Sequence, residues 1–260
     1  MTDQEPIGRI REHMRACPEE KLETFIDAYA SDGRSGVKII VEQARRKLDR
    51  RRREEARIDE LMVFEREAWQ SCQYVAGMDE VGRGPLAGPL VTAAVILPRG
   101  HRILGINDSK KVSAKKREEL YRQIMEEALA VGIGMNSPGR IDQINVLQAT
   151  YEAMREAVSQ LDPAPELVLN DAVTVPGLLV RQIPIIHGDA RSISIGAASI
   201  VAKVTRDHMM EDYDKSYPGY GFAKNKGYGT ADHIRALRKM GPTPIHRRSF
   251  IGHFTGSQSV

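Results

Sequence analysis

Tyr74-Val75-Ala76-Gly77-Met78-Asp79-Glu80-Val81-Gly82-Arg83-Gly84-Pro85-Leu86-Ala87-Gly88-Pro89-Leu90-Val91-Thr92-Ala93-Ala94-Val95-Ile96-Leu97 is the stretch that decides the fold. Its flanks, residues 74–81 and 90–97, are short, apolar and rich in β-branched side chains, and a Gly- and Pro-rich segment separates them. They read as two neighbouring antiparallel strands. Downstream, a basic loop at 107–111 precedes an amphipathic helix at 113–127, a strand at 130–135 and a longer helix at 139–161. Strands at 166–171 and 181–187 follow, then a helix at 192–217, a glycine-rich segment at 218–229 and a helix at 231–240. Strands that open as a hairpin and then alternate with helices indicate an α/β fold, a mixed sheet flanked by helices.

The first seventy residues have a different texture. Ile7, Ile10 and Met14 recur at helical spacing, Cys17-Pro18-Glu19-Glu20 looks like a helix start, and no Pro or Gly interrupts residues 37–69. The chain therefore divides into an N-terminal helical extension at 1–70, an α/β core at 71–217 and a basic, Tyr- and Gly-containing helical segment at 218–260. Residues 45–57 hold eight basic and three acidic side chains. They form either a solvated helix face laced with ion pairs or a second contact for an anionic strand.

The net charge of +3 in 260 residues hides an uneven distribution. Lys and Arg against Asp and Glu number 15 to 16 in residues 1–70, 12 to 14 in 71–190 and 11 to 5 in 191–260. A basic C-terminal part suits a polyanionic partner, although a solvated tail has the same composition. No apolar run reaches the eighteen or so residues of a membrane span, and Met1-Thr2-Asp3-Gln4-Glu5-Pro6 lacks the features of a secretory leader. The expectation is a cytoplasmic protein with Cys17 and Cys72 as reduced thiols, since two cysteines make no disulfide framework.

Three places carry carboxylates at the ends of apolar strands. Asp79 and Glu80 close the first strand, Asp171 closes Leu167-Val168-Leu169-Asn170, and Asp189 stands at a strand-to-helix junction. Each has a plain alternative: an ion pair of the first pair with Arg83, a turn at Asp171, a helix cap at Asp189. Open sheets place functional residues at strand ends, and several carboxylates on one edge stay ionised only with cations between them. Hard divalent ions prefer carboxylate oxygen. Such a cluster matches two-metal hydrolysis of phosphodiesters, in which one ion activates water and the other stabilises the leaving oxygen.

Gly82-Arg83-Gly84 lacks the spacing of a nucleotide phosphate loop, but glycines flanking an arginine let the backbone approach a sugar or phosphate. Ser199, Lys203 and Arg206 form one polar stripe, at i, i+4 and i+7, on an otherwise small and apolar helix. The stripe is either a solvated face or a set of phosphate contacts. Four of the eight tyrosines fall between Tyr213 and Tyr228, interleaved with Lys224 and Lys226. That pattern suits stacking on sugars and bases, with Tyr213 and Tyr217 equally placed to face the core. No zinc or serine-nucleophile motif is present in the sequence.

Ala76-Gly77-Met78-Asp79-Glu80-Val81-Gly82-Arg83-Gly84-Pro85-Leu86-Ala87-Gly88-Pro89 resembles the signature of bacterial ribonuclease HII, the type 2 ribonuclease H. Asn107-Asp108-Ser109-Lys110-Lys111, Gly188-Asp189, the segment 197–207 and the segment 221–230 match its other blocks in order, over about residues 72–250. The resemblance implies an RNase H-like fold and a metal site of Asp79, Glu80, Asp171 and Asp189 that binds Mg²⁺ or Mn²⁺ as two ions. It also implies that the backbone of Gly82, Arg83 and Gly84 reads a ribose 2′-hydroxyl, that Lys110, Ser199 and Lys203 hold phosphates, and that Tyr228 packs near the junction nucleotide. The implied partners are RNA/DNA hybrids and DNA duplexes containing ribonucleotides, cut by a monomeric endonuclease to leave 3′-hydroxyl and 5′-phosphate ends. Two alternatives stand beside it: the sister enzyme ribonuclease HIII, which carries Gly-Thr-Gly in place of the loop around Arg83, and a non-catalytic hybrid-binding protein. Asn170 departs from the family pattern, which has an aliphatic residue there, and compact members lack the N-terminal extension.

Overall fold

The structure is a computed structural model that describes residues 5–255; Met1 to Gln4, read above for a leader, lie outside it. The chain divides into two compact units, Met1–Asp59 and Glu60–Val260. Within the first, α1 (Ile7–Ala16), α2 (Leu22–Tyr29) and α3 (Ser35–Leu61) bury Ile10, Leu22, Phe25, Ile26, Val37, Ile40, Val41 and Ala44 against one another. The basic run on α3 is tied into ion pairs, Arg46 with Glu42, Arg51 with Glu55 and Glu20, Lys47 with Glu19, and Arg57 with Glu54. These contacts support the ion-paired face. The helix expected to continue to residue 69 breaks at Met62, and a separate α4 (Val63–Ala68) follows.

In the second unit, five strands form one sheet in the order β3-β2-β1-β4-β5, from β1 (Val75–Val81), β2 (Leu90–Ile96), β3 (Ala130–Asn136), β4 (Leu167–Asp171) and β5 (Arg181–Ile185). β1 pairs antiparallel with β2, as the hairpin reading expected, and parallel with β4, so the sheet is mixed. α5 (Ala114–Glu127) connects β2 to β3, α6 (Pro138–Ser159) connects β3 to β4, and α7 (Ile193–Ser216) follows β5. Side chains alternate across a strand. Ala76 and Met78 on β1 join Ala94, Ile96, Met154, Ala157 and Val168 in a core on the α6 side of the sheet. Gly77 faces the other way, directly against the first turn of α7.

The sequence predicts one helix through 139–161, but Asn145 interrupts α6 at φ 67° and ψ 163°. Its Oδ1 accepts the amides of Leu147 and Gln148 at 3.0 and 3.1 Å and so caps the second half. The C-terminal helical tail is α8 (Phe222–Asn225), α9 (Ala231–Met240) and α10 (Arg248–Thr255). Among the described residues no helix is long and apolar enough to cross a membrane.

α7 begins under a buried carboxylate. Glu65, on α4, accepts from the Ser192 hydroxyl at 2.5 Å and from the Ser194 amide at 3.0 Å, and burial pushes its carboxyl up from the usual range. It satisfies the Ser194 amide, which the helix start leaves without an intrahelical partner. Glu65→Ala leaves buried donors unmatched and should cost about 2 kcal/mol, read as a lowered denaturation midpoint. An unchanged midpoint would show that the cap contributes nothing.

Candidate active site

The parallel pairing of β1 with β4 assembles the site. Its last registered pair is Met78 with Asn170, so Asp79 and Asp171 come next on adjacent strands. Asp171 Oδ1 accepts the Gly188 amide at 2.7 Å, which ties down the turn where His187 adopts φ 57° and Asp189 follows just ahead of α7. Four carboxylates from three separate places in the sequence thereby reach one place. A cavity of about 480 Å³ is lined by Asp79, Glu80, Asp171 and Asp189, with Ser109, Lys110, Ser199, Lys203 and Tyr228 on its other walls.

Asn170, the departure from the family pattern, is fully buried and donates to Gln182 Oε1 on β5 at 2.8 Å. β5 thus matches its Nδ2, while its Oδ1 is buried without a hydrogen-bond partner among the described residues. Ser199 bonds to Ser109 at 3.0 Å, and Lys203 pairs with Asp207 at 2.6 Å. Arg83 reaches back to Glu80 Oε1 at 3.4 Å. Gly84 lies beside the ring of Tyr228.

The electrostatics of the cavity are those of crowded acids. Asp79 is 7 % exposed; burial first, then the charge of Glu80, pushes its carboxyl well above the usual range, with hydrogen bonding from Ser199 pulling the other way. Burial raises Glu80 against the pull of Arg83. Asp189 is raised by burial and by the charges of Asp108 and Asp171. Glu80 Oε2 is buried without a hydrogen-bond partner among the described residues. Among those residues no three His, Cys, Asp or Glu side chains form a ready-made metal cage. The donor set nevertheless suits a hard cation that keeps several of its own waters, because every candidate ligand atom is a carboxylate oxygen and one is left unpartnered.

One expectation needs correction. Arg206 does not face the cavity: it is 0 % exposed and donates to the carbonyls of Pro89 at 2.8 Å, Lys226 at 2.8 Å and Ala87 at 3.1 Å. A guanidinium spent on three carbonyls is a tie between backbone segments and has no place among phosphate contacts. Of the tyrosine cluster, Tyr228 alone lines this cavity, while Tyr213, Tyr217 and Tyr220 pack around Met210 and Phe222. Ser109, part of the motif at 107–111 but not an expected site residue, lines the cavity as well. A hydroxyl next to Lys110 in a basic loop was the available signal.

Comparison with known proteins gives the family of the chain. The family described as Ribonuclease HII matches residues 76–253, and its N-terminal domain matches residues 6–69. The chain is 57% identical over 249 residues to the ribonuclease HII of Lachnoclostridium phytofermentans, covering 96% of this chain and 98% of that one. It is 46% identical over 246 residues to the ribonuclease HII of Clostridioides difficile, covering 94% and 96%. Among solved structures it is similar to ribonuclease H2 from Pyrococcus horikoshii, with a TM-score of 0.58 and 27% identity over 68% of this chain and 93% of that one. The family match and relatedness over nearly the whole length show that the chain belongs to the ribonuclease HII family.

Proposed function

We propose that this ribonuclease H is a divalent-metal-dependent endonuclease that cuts the RNA strand of RNA/DNA hybrids and nicks duplex DNA at single ribonucleotides, leaving 3′-hydroxyl and 5′-phosphate ends. The observation that carries this reading is the convergence of Asp79, Glu80, Asp171 and Asp189 on one cavity whose other walls bear Lys110, Ser199 and Lys203. Acids facing a phosphate backbone weaken binding unless cations intervene, so the arrangement favours cleavage over simple hybrid binding.

The four carboxylates would hold Mg²⁺ or Mn²⁺. Bound there, the ion supplies Lewis-acid stabilisation of charge on the scissile phosphate and a more acidic water. Lys110 and Lys203 meet phosphate oxygens as point charges, and Ser199 donates its hydroxyl. The amides of the loop at 82–84 read the ribose 2′-hydroxyl, the group that separates RNA from DNA. Tyr228, 43 % exposed at the cavity rim, offers its ring to the nucleotide at the junction. The basic segment at 218–260 continues the nucleic-acid surface beyond the cavity. The protein works as a cytoplasmic monomer.

Cleavage of end-labelled duplexes carrying one or four ribonucleotides, with Mg²⁺ or Mn²⁺ and with chelator, tests substrate and metal together. The expected result is a metal-dependent nick in both duplexes. Cleavage restricted to the four-ribonucleotide duplex would shift the assignment towards a ribonuclease HIII-like preference. Tight hybrid binding without cleavage in either metal would replace the nuclease with a binding protein.

A further inference from the structure

Arg247 is 0 % exposed and belongs to none of the motifs that identify the site. Its guanidinium forks over the loop between β1 and β2. Nη1 donates to the Arg83 carbonyl at 2.8 Å, Nη2 to the carbonyls of Gly82 and, at 3.0 Å, Gly88, and Nε to Gly88 at 3.2 Å. Its own amide donates to the Leu86 carbonyl at 2.9 Å, and the Gly88 amide donates to Ile245 at 2.9 Å. Burial and the nearby charge of Arg206 push the guanidinium down to about 9. It is still a cation at neutral pH, and its donations are charge-assisted.

The direction of these bonds matters more than their number. In a trans peptide the carbonyl of one residue and the N–H of the next point to opposite sides, and the one cis bond among the described residues is Asp162–Pro163. The carbonyls of Gly82 and Arg83 are drawn inward to Arg247, so the amides of Arg83 and Gly84 face away from it. Tyr228, at the cavity rim, lies on the side of Gly84. Gly82 permits this turn because it sits at φ +95°, where an L side chain is strained.

We infer that Arg247 is the positioning residue of the ribose-reading loop: by holding the carbonyls of Gly82 and Arg83 it aims the next two amides at the 2′-hydroxyl and sets the preference for a ribonucleotide over a deoxyribonucleotide. The inference rests on the proposed role of the loop at 82–84. A lysine cannot replace the fork, since one ammonium does not span three carbonyls in a fixed plane.

The test compares wild type, Arg247→Lys and Arg247→Gln as full-length proteins on two duplexes of one sequence, one with a single ribonucleotide and one all DNA. Equilibrium binding without metal and steady-state KM and kcat with Mn²⁺ are measured. Both variants should bind the all-DNA duplex within about twofold of wild type, while KM for the ribonucleotide duplex rises roughly tenfold, the equivalent of one lost hydrogen bond. A structural role alone would weaken binding to both duplexes together. Folded variants that keep the wild-type preference and KM overturn the inference. A wild-type protein that handles the two duplexes equally removes the ribose reading itself, and the inference with it. If neither variant folds, amide exchange on wild type decides. The Arg83 and Gly84 amides should slow with the ribonucleotide duplex and not with the all-DNA duplex, and unslowed exchange overturns the proposal.

Discussion

Asp79→Asn should lower kcat on a single-ribonucleotide duplex by ~10³-fold or more while the metal-free protein melts no earlier than wild type. The two halves of this result have one cause. Asp79 lies buried in a cavity that three other carboxylates line, and burial and the charge of Glu80 raise its carboxyl well above the usual range. A carboxyl raised in the folded state binds its proton more tightly there than in the unfolded chain. Its penalty is therefore absent below the unfolded-state value of about 3.9 and grows as pH rises through the raised folded value. Asparagine keeps the shape and removes that charge. With chelator present, raising the pH from acid to neutral should lower the Tm of wild type more than that of the variant.

Metal reverses the order. A cation that binds only the folded state adds about 2.7 kcal/mol at a hundredfold excess over its Kd, so Mn²⁺ should raise the wild-type Tm and leave Asp79→Asn nearly unmoved. Thermal melts with and without metal, alongside cleavage rates, check all three outcomes. A variant that cuts at the wild-type rate would remove Asp79 from the chemistry, and one that melts far below wild type in chelator would make its role structural.

The acids were legible in the sequence because a carboxylate at the end of an apolar strand is costly without a purpose, and three strand ends carried one. The mixed sheet was legible from the hairpin followed by alternating strands and helices. Arg206 was misread because a polar stripe at i, i+4 and i+7 assumes that one helix face meets solvent. α7 is covered on that face too: Ser199 and Arg206 are both buried, and only Lys203 is partly exposed. Glu65 and Arg247 carried no local signal at all. Their partners lie 127 to 129 and 159 to 165 residues away, and a buried charge whose partners are distant backbone groups looks in sequence like any surface residue.

Gly77→Ala should be among the most destructive single methyls in the catalytic unit. An added Cβ would stand 2.0 Å from the Ser194 carbonyl carbon, 2.2 Å from the Ile195 nitrogen and 2.3 Å from the Ser194 oxygen. All three are backbone atoms of the first turn of α7, so no rotamer change relieves the overlap. That turn cannot move freely either, because Glu65 holds Ser192 and Ser194 by hydrogen bonds. Overpacking that side chains can absorb costs 1–3 kcal/mol; here strand and helix must separate, and about 3 kcal/mol or more is expected. Separation would also carry Asp79, two residues along the same face of β1, away from Ser199 on α7, so any folded fraction should turn over slowly. Gly84→Ala is the control, since its nearest neighbour would be Tyr228 at 3.9 Å, and its midpoint should stay within about 0.5 kcal/mol of wild type. Denaturant midpoints of the two alanine variants decide the matter. Equal midpoints would mean that β1 and α7 are not in backbone contact at Gly77, and that the close approach does not set the depth at which Asp79 is buried.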